Sequence, residues 1–147
     1  MIVSSVETGL FDKKDLKNLH SFFDEMDIEF DEAKIKSFIS NKNNYIVTAK
    51  ADGEILGFAF GYLIERLDNK YPKMYIHSLY VGEAYQNKGI GTKIIDYFVK
   101  LANKSNCSSV FTIADKANKA AVGVLSHLDI KSKSNGKIIF TKKFNRG

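Results

Sequence analysis

The chain has 147 residues, 44% of them hydrophobic and 27% charged, with a formal net charge of +5. That is the length and chemistry of one globular domain, so a single domain over 1–147 is expected. A lone cysteine, Cys107, excludes an internal disulfide framework and a four-cysteine zinc site, and no apolar run reaches the roughly 18–20 residues of a membrane helix. Three scattered histidines (His20, His77, His127) have no metal-ligand spacing, and Met1–Ser5 carries no charged leader. The expectation is a cytoplasmic protein with no metal and no membrane contact. Charge is laid out unevenly. Asp24, Glu25, Asp27, Glu29, Asp31 and Glu32 crowd one stretch, while Lys131, Lys133, Lys137, Lys142, Lys143 and Arg146 fill the tail. An acidic stretch of this kind repels a phosphate polymer, so no nucleic-acid partner is expected.

In chain order, residues 2–7 suit a short strand. Residues 12–26 suit a helix with Asp12 as N-cap, because Leu16, Leu19, His20 and Phe23 recur at helical spacing. Residues 31–41 suit a second helix, with Ile35, Phe38 and Ile39 on one face. Tyr45–Lys50 and Ile55–Glu65 read as strands joined through Asp52-Gly53, a hairpin signal. Tyr75–Val81 is a third strand, rich in β-branched and aromatic residues. A helix follows, striped by Ile90, Ile94, Ile95, Phe98, Leu101 and Ala102. Ser109–Ala114 is a strand, 118–128 a helix capped by Asn118, and 136–144 a last strand that 130–134 can join. The fold class expected is α/β, β-α-α-β-β-β-α-β-α-β(-β), antiparallel first, with one strand–helix–strand crossover near 75–114.

The most informative segment is Gln86-Asn87-Lys88-Gly89-Ile90-Gly91-Thr92, where a strand gives way to a helix. First-turn N–H groups lack intrahelical partners, and the helix dipole adds positive charge. Gly89 and Gly91 remove side chains that would block approach, Lys88 adds charge and Thr92 a hydroxyl. This is anion-binding chemistry suited to a pyrophosphate. The residues supply neither a Walker P-loop nor a full dinucleotide fingerprint.

Gln86-x-x-Gly89-x-Gly91, after a strand ending Leu79-Tyr80-Val81, resembles the signature of the GCN5-related N-acetyltransferase (GNAT) superfamily. Met74–Val81 and the stretch from Ile113 to Leu128 are similar to the small aminoglycoside 3-N-acetyltransferase branch. The resemblance implies a GNAT fold with a mixed, mostly antiparallel sheet, and acetyl-CoA as acetyl donor. It carries cofactor roles to Leu79, Tyr80, Val81, Gln86, Asn87, Lys88, Gly89, Ile90, Gly91, Thr92 and Asn118. Three positions depart from the pattern: Ser78 stands where that branch has aspartate, Leu125 where many relatives have tyrosine, and Asp129 where glycine is usual.

The implied reaction is direct attack of an amine on the thioester, which requires a proton acceptor. His77 is the first candidate, with Glu65 and Asp115 as rivals; Tyr85, near the cofactor loop, is a candidate acid. Tyr75 reads as packing. A cysteine nucleophile would need a paired histidine, and none can be placed beside Cys107. The acidic stretch, through Asp27, Glu29 and Asp31, is expected to attract a cationic amine, so that neutralising it raises the amine KM and spares acetyl-CoA binding. The reading is an acetyl-CoA-dependent N-acetyltransferase acting on a primary amine of a small cationic molecule. A protein or peptide amine acetyltransferase and a non-catalytic acyl-CoA sensor are the alternatives, and homodimer formation is left open.

Overall fold

The structure, a computed structural model, describes residues 5–146. Its strands are β1 (Glu7–Leu10), β2 (Asn44–Ala51), β3 (Glu54–Ile64), β4 (Lys73–Val81), β5 (Ser109–Asp115), β6 (Asp129–Ser134) and β7 (Lys137–Lys143). Its helices are α1 (Leu16–Glu25), α2 (Glu32–Ser40), α3 (Ile90–Lys104) and α4 (Lys119–Leu125), with single 3₁₀ turns at Lys13–Asp15 and Glu83–Tyr85. The strands form one sheet in the order β1-β2-β3-β4-β5-β7-β6. Among the described residues only β4 and β5 pair in parallel, as expected of a crossover through α3.

Turn chemistry sets the hairpins. Asp52 (φ 51°) and Gly53 (φ 78°) are both left-handed between β2 and β3, and Asn135 (φ 50°) and Gly136 (φ 75°) repeat this between β6 and β7. Two such residues match the right-handed twist of paired strands. Some boundaries move. Of the strand expected at 2–7, residues 2–4 lie outside the described residues, and β1 starts at Glu7. The helix expected from Asp12 opens as a 3₁₀ turn, which Asp12 caps by accepting from the Lys14 N–H at 3.0 Å. The helix expected to reach 128 ends at Leu125, because the chain must turn to enter β6 at Asp129.

The sheet is packed on both faces. Leu19, Phe22 and Phe23 of α1 meet Ile46, Ile55 and Phe58 on one face. Ile94, Ile95 and Phe98 of α3 meet Val47, Leu56, Met74, Ile76 and Val110 on the other. Two glycines of β3 seat α3. A Cβ on Gly57 would lie 2.8 Å from the Tyr80 carbonyl oxygen and 3.2 Å from Ile94. One on Gly61 would run into the Tyr75 carbonyl oxygen and lie 3.2 Å from Phe98. The helix therefore docks through Ile94 and Phe98, one turn apart, where β3 has no side chain.

The feature that makes a site is a fork. Strands β4 and β5 pair only from Lys73–Ser109 to Ile76–Thr112. Beyond that, β4 stays with β3 up to Val81 and β5 stays with β7 up to Asp115. At the fork the buried Thr112 Oγ1 donates to the Ile76 carbonyl at 2.9 Å. The next residue, His77, is an extra one: Phe60 faces Ser78 and Gly61 faces Ile76, so His77 has no partner on β3. A bulge of this kind bends the strand and increases its twist, which turns β4 away from β5.

Candidate active site

The fork opens into a cleft of about 570 Å³, within the ~300–1,000 Å³ of small-molecule sites. One wall is the free edge of β4. The Gly82 N–H donates to the Leu56 carbonyl at 2.8 Å, so that pair is hydrogen-bonded across the ladder. Bonded and non-bonded pairs alternate in antiparallel strands, so Val81 and Leu79 turn their backbone N–H and C=O groups away from β3, into the cleft. Gln86 confirms the geometry by donating to the Val81 carbonyl at 3.2 Å. That occupies the oxygen and leaves the Val81 N–H facing the opening. The opposite wall is the end of β5 with α4, including Ala114, Asn118, Ala121 and Val124.

The N-terminus of α3 forms the mouth. Gly89 precedes the helix at φ 81°, no side chain caps it, and nothing lies within 4 Å of where its Cβ would be. Asn87 is also left-handed, at φ 62°. The first-turn amides of α3 therefore point at the cleft without a capping oxygen, where an anion would complete the helix. Gly91 serves a second purpose: a Cβ there would approach Val124 at 3.1 Å and Leu79 at 3.4 Å. Its bareness lets α3 seat between both walls as well as near a ligand.

Of the cofactor residues read from the sequence, all but Lys88 line this cleft, as do His77, Asp115 and Tyr85. Glu65 does not. It follows the last residue of β3, where Ile64 faces Lys73, at the end of β4 opposite the fork. Asp115 accepts from the Ala117 N–H at 3.0 Å and from Lys137 Nζ at 3.0 Å. These two partners hold its carboxyl below the usual range, the backbone bond contributing most. A carboxylate so stabilised is a weak base. Tyr85 sits in the 3₁₀ turn at the cleft wall, against Gly82. Asp27, Glu29 and Asp31 do not line the cleft. Asp27 ends α1 in the left-handed conformation (φ 56°), and Asp31 caps α2 by accepting from the Lys34 N–H at 3.1 Å. Glu25 and Met26, at the end of α1, share a separate recess with Glu83 and Tyr85, and Tyr85 lines the cleft as well. Leu125 lines the cleft as a buried apolar side chain. Cys107 is fully buried, and burial pushes its thiol up to about 11.

Residues 12–129 match the acetyltransferase (GNAT) family. The chain belongs to this family. It is therefore an acyltransferase, and its mostly antiparallel seven-stranded sheet with flanking helices matches the GNAT fold. Solved structures share the fold. The aminoglycoside acetyltransferase meta-AAC0020 from an uncultured soil metagenomic sample is 20% identical, with 92% of this chain and 94% of that one covered and a TM-score of 0.76. A GNAT-family acetyltransferase from Streptococcus pneumoniae is 16% identical, covering 96% and 100%, with a TM-score of 0.76. Arabidopsis thaliana NAA60, in complex with acetyl-CoA, is 18% identical, covering 97% and 100%, with a TM-score of 0.73. No curated protein matches in sequence.

The GNAT family uses acetyl-CoA, and the residues here fit its diphosphate and arm. The uncapped amides before and within Ile90–Thr92 suit the one, and the free edge of β4 suits the other. Among the described residues, no group of three or more His, Cys, Asp or Glu could hold a metal, and no helix is long and apolar enough to cross a membrane. The sequence reading missed the far wall of the cleft. Ala120, Ala121 and Val124 read as ordinary helix, and only the divergence of β5 from β4 turns them toward a ligand. Thr112 carried a usable signal: it is the polar residue in the buried register Val110, Thr112, Ala114.

Proposed function

We propose that the chain transfers an acetyl group from acetyl-CoA to the primary amine of a small cationic molecule. The observation that carries this reading is the uncapped N-terminus of α3, opening onto a fork whose β4 edge offers unpaired backbone groups. Gly89–Thr92 would hold the diphosphate, Leu79 and Val81 the arm, and Asn118 lies opposite, on the α4 side. When bound, acetyl-CoA supplies an acyl thioester activated for attack. The Val81 N–H is the donor placed for the negative charge that develops on the carbonyl oxygen, in the manner of an oxyanion hole. His77 is the residue suited to take the amine's proton, since Glu65 is remote and Asp115 is neutralised by Lys137. Glu25 and Glu83, in the recess that adjoins the cleft at Tyr85, favour a cationic acceptor over an anionic one. A peptide amine is the second reading, favoured by the exposed Ile113 beside the partly buried Phe111 on β5.

Thiol release from acetyl-CoA tests the reading, with spermidine, kanamycin, free amino acids and a lysine peptide as acceptors. Turnover with an amine and a thermal shift with acetyl-CoA, both lost in Gly89→Glu, are expected. Binding without turnover across the panel would instead favour the sensor role. An unchanged shift in Gly89→Glu would overturn the anion site.

A further inference from the structure

The geometry points to Tyr75 as a positioning residue for the His77 imidazole, and we infer that it accepts from Nδ1–H, leaving Nε2 free to take a proton. The contact itself is independent of the function proposed above; the choice of tautomer, like the assignment of His77 as base, rests on it. Tyr75 Oη lies 3.0 Å from His77 Nδ1. The two rings meet edge to face, with centroids 5.6 Å apart at 70°. Phe60 closes the other side at 5.2 Å. Tyr75 is itself clamped, stacked on Phe111 at 5.1 Å and on Tyr62 at 6.5 Å. The imidazole thus has one nitrogen tied, a ring on either side, and Nε2 as its one nitrogen outside this contact.

The local backbone explains why a residue two positions away can do this. Tyr75 and His77 share one face of β4, as alternate residues do. The bulge then leaves His77 unpaired at the head of the fork, on the cleft lining. Among the described residues the other two histidines face carboxylates, His20 with Asp24 at 3.7 Å and His127 with Asp96 at 2.9 Å. His77 faces a phenol instead. The ionisable groups around it are Tyr75 on its own strand and Tyr62 on β3. Asp115 is across the cleft on β5, already paired with Lys137 of β7, and Tyr80 and Tyr85 lie along the wall.

The Tyr75 oxygen can accept from Nδ1–H whether the ring is neutral or protonated, so Tyr75 need not move as the proton arrives. In the step itself one amine N–H bond breaks and one Nε2–H bond forms. The electron pair stays on the amine nitrogen, where it is needed for attack. If Tyr75 instead donated to Nδ1, the neutral ring would carry its proton on Nε2 and could not accept there.

The test is the imidazole spectrum of the full chain, by two-bond ¹H–¹⁵N correlation above the His77 titration, with His77→Gln to assign its signals. The expected result is a dominant Nδ1–H form that shifts towards the free-histidine mixture in Tyr75→Phe, a change that keeps the stacked ring. A dominant Nε2–H form, or a spectrum unaltered by Tyr75→Phe, overturns the proposal. In the thiol-release assay with spermidine, kanamycin and the lysine peptide, any supported turnover should fall about 3- to 10-fold in Tyr75→Phe, the worth of one ordinary hydrogen bond. The alkaline plateau of its pH profile should change while acetyl-CoA binding does not. On a His77→Gln background the same change should have no further effect; an equal loss there also overturns the proposal. Failure of the acetyl-transfer reading would show as no turnover with any amine, while the tautomer spectrum would still decide the role of Tyr75.

Discussion

Replacing either of two glycines by alanine should move stability in opposite directions. At Gly61 the new methyl would run into the Tyr75 carbonyl oxygen and press on the Ile76 Cα at 3.2 Å and Phe98 at 3.2 Å. Two of these obstacles are backbone, so no rotamer change relieves them. Overpacking of this kind costs about 1–3 kcal/mol, and displacing β3 from β4 weakens a ladder hydrogen bond worth about 1 kcal/mol more. The opposing gains are about 0.8 kcal/mol for a buried methyl and about 0.4–1 kcal/mol from restricting the unfolded chain. The net is a loss of about 1.5 kcal/mol, or roughly 3–6 °C in Tm for a chain of this size. At Gly123, on α4, nothing lies within 4 Å of the new methyl. Helix propensity alone then predicts a gain near 0.8–1 kcal/mol and a rise of roughly 2–4 °C. Thermal and urea unfolding of both variants, read by circular dichroism without ligand, measure the difference. A Gly61→Ala variant as stable as the parent would refute the seating of α3 in glycine notches.

Cys107 should resist a thiol reagent at pH 8 in the folded protein and react only on unfolding, because it is fully buried and burial raises its pKa; rapid native labelling would contradict its place in the core. Arg146 donates to the Cys107 carbonyl at 2.9 Å and to the Asn103 carbonyl at 2.9 Å, closing the end of α3. Arg146→Ala should therefore cost about 1.5–3 kcal/mol in urea titration, as charge-assisted hydrogen bonds do. Asp31→Ala should lower stability by about 1 kcal/mol through the lost α2 cap and leave the amine KM unchanged; a raised KM would return Asp31 to substrate binding. Lys137→Met should raise the Asp115 pKa part of the way, since the Ala117 N–H remains. A depressed carboxyl stabilises the fold above its unfolded pKa and loses that contribution as pH falls through the folded value. The variant should accordingly be less stable near neutrality and equal to the parent in strong acid.

Local chemistry made much of the fold legible in advance. Asp52-Gly53 dictates a hairpin because both residues tolerate a left-handed backbone. The stripe from Ile90 to Ala102 dictates an amphipathic helix, and the bare glycines at its start leave the first-turn amides uncovered. These follow from short-range sterics and periodicity, which operate within a few residues. The roles of the acids were not legible that way. Asp31 and Asp27 are as acidic as any substrate ligand, yet one caps α2 and the other ends α1. Glu65 follows β3 and His77 lies on the neighbouring β4, yet the antiparallel register puts Glu65 beyond Lys73, at the start of β4, and His77 at the fork. The far wall of the cleft depends on β5 leaving β4 after Thr112, and the contact of Tyr75 with His77 on one face of a bulged strand. Composition and spacing determined that this chain builds an α/β domain with a glycine-flanked helix start. Strand register and the bulge, which join residues distant in the chain, decided which side chains meet in the cleft.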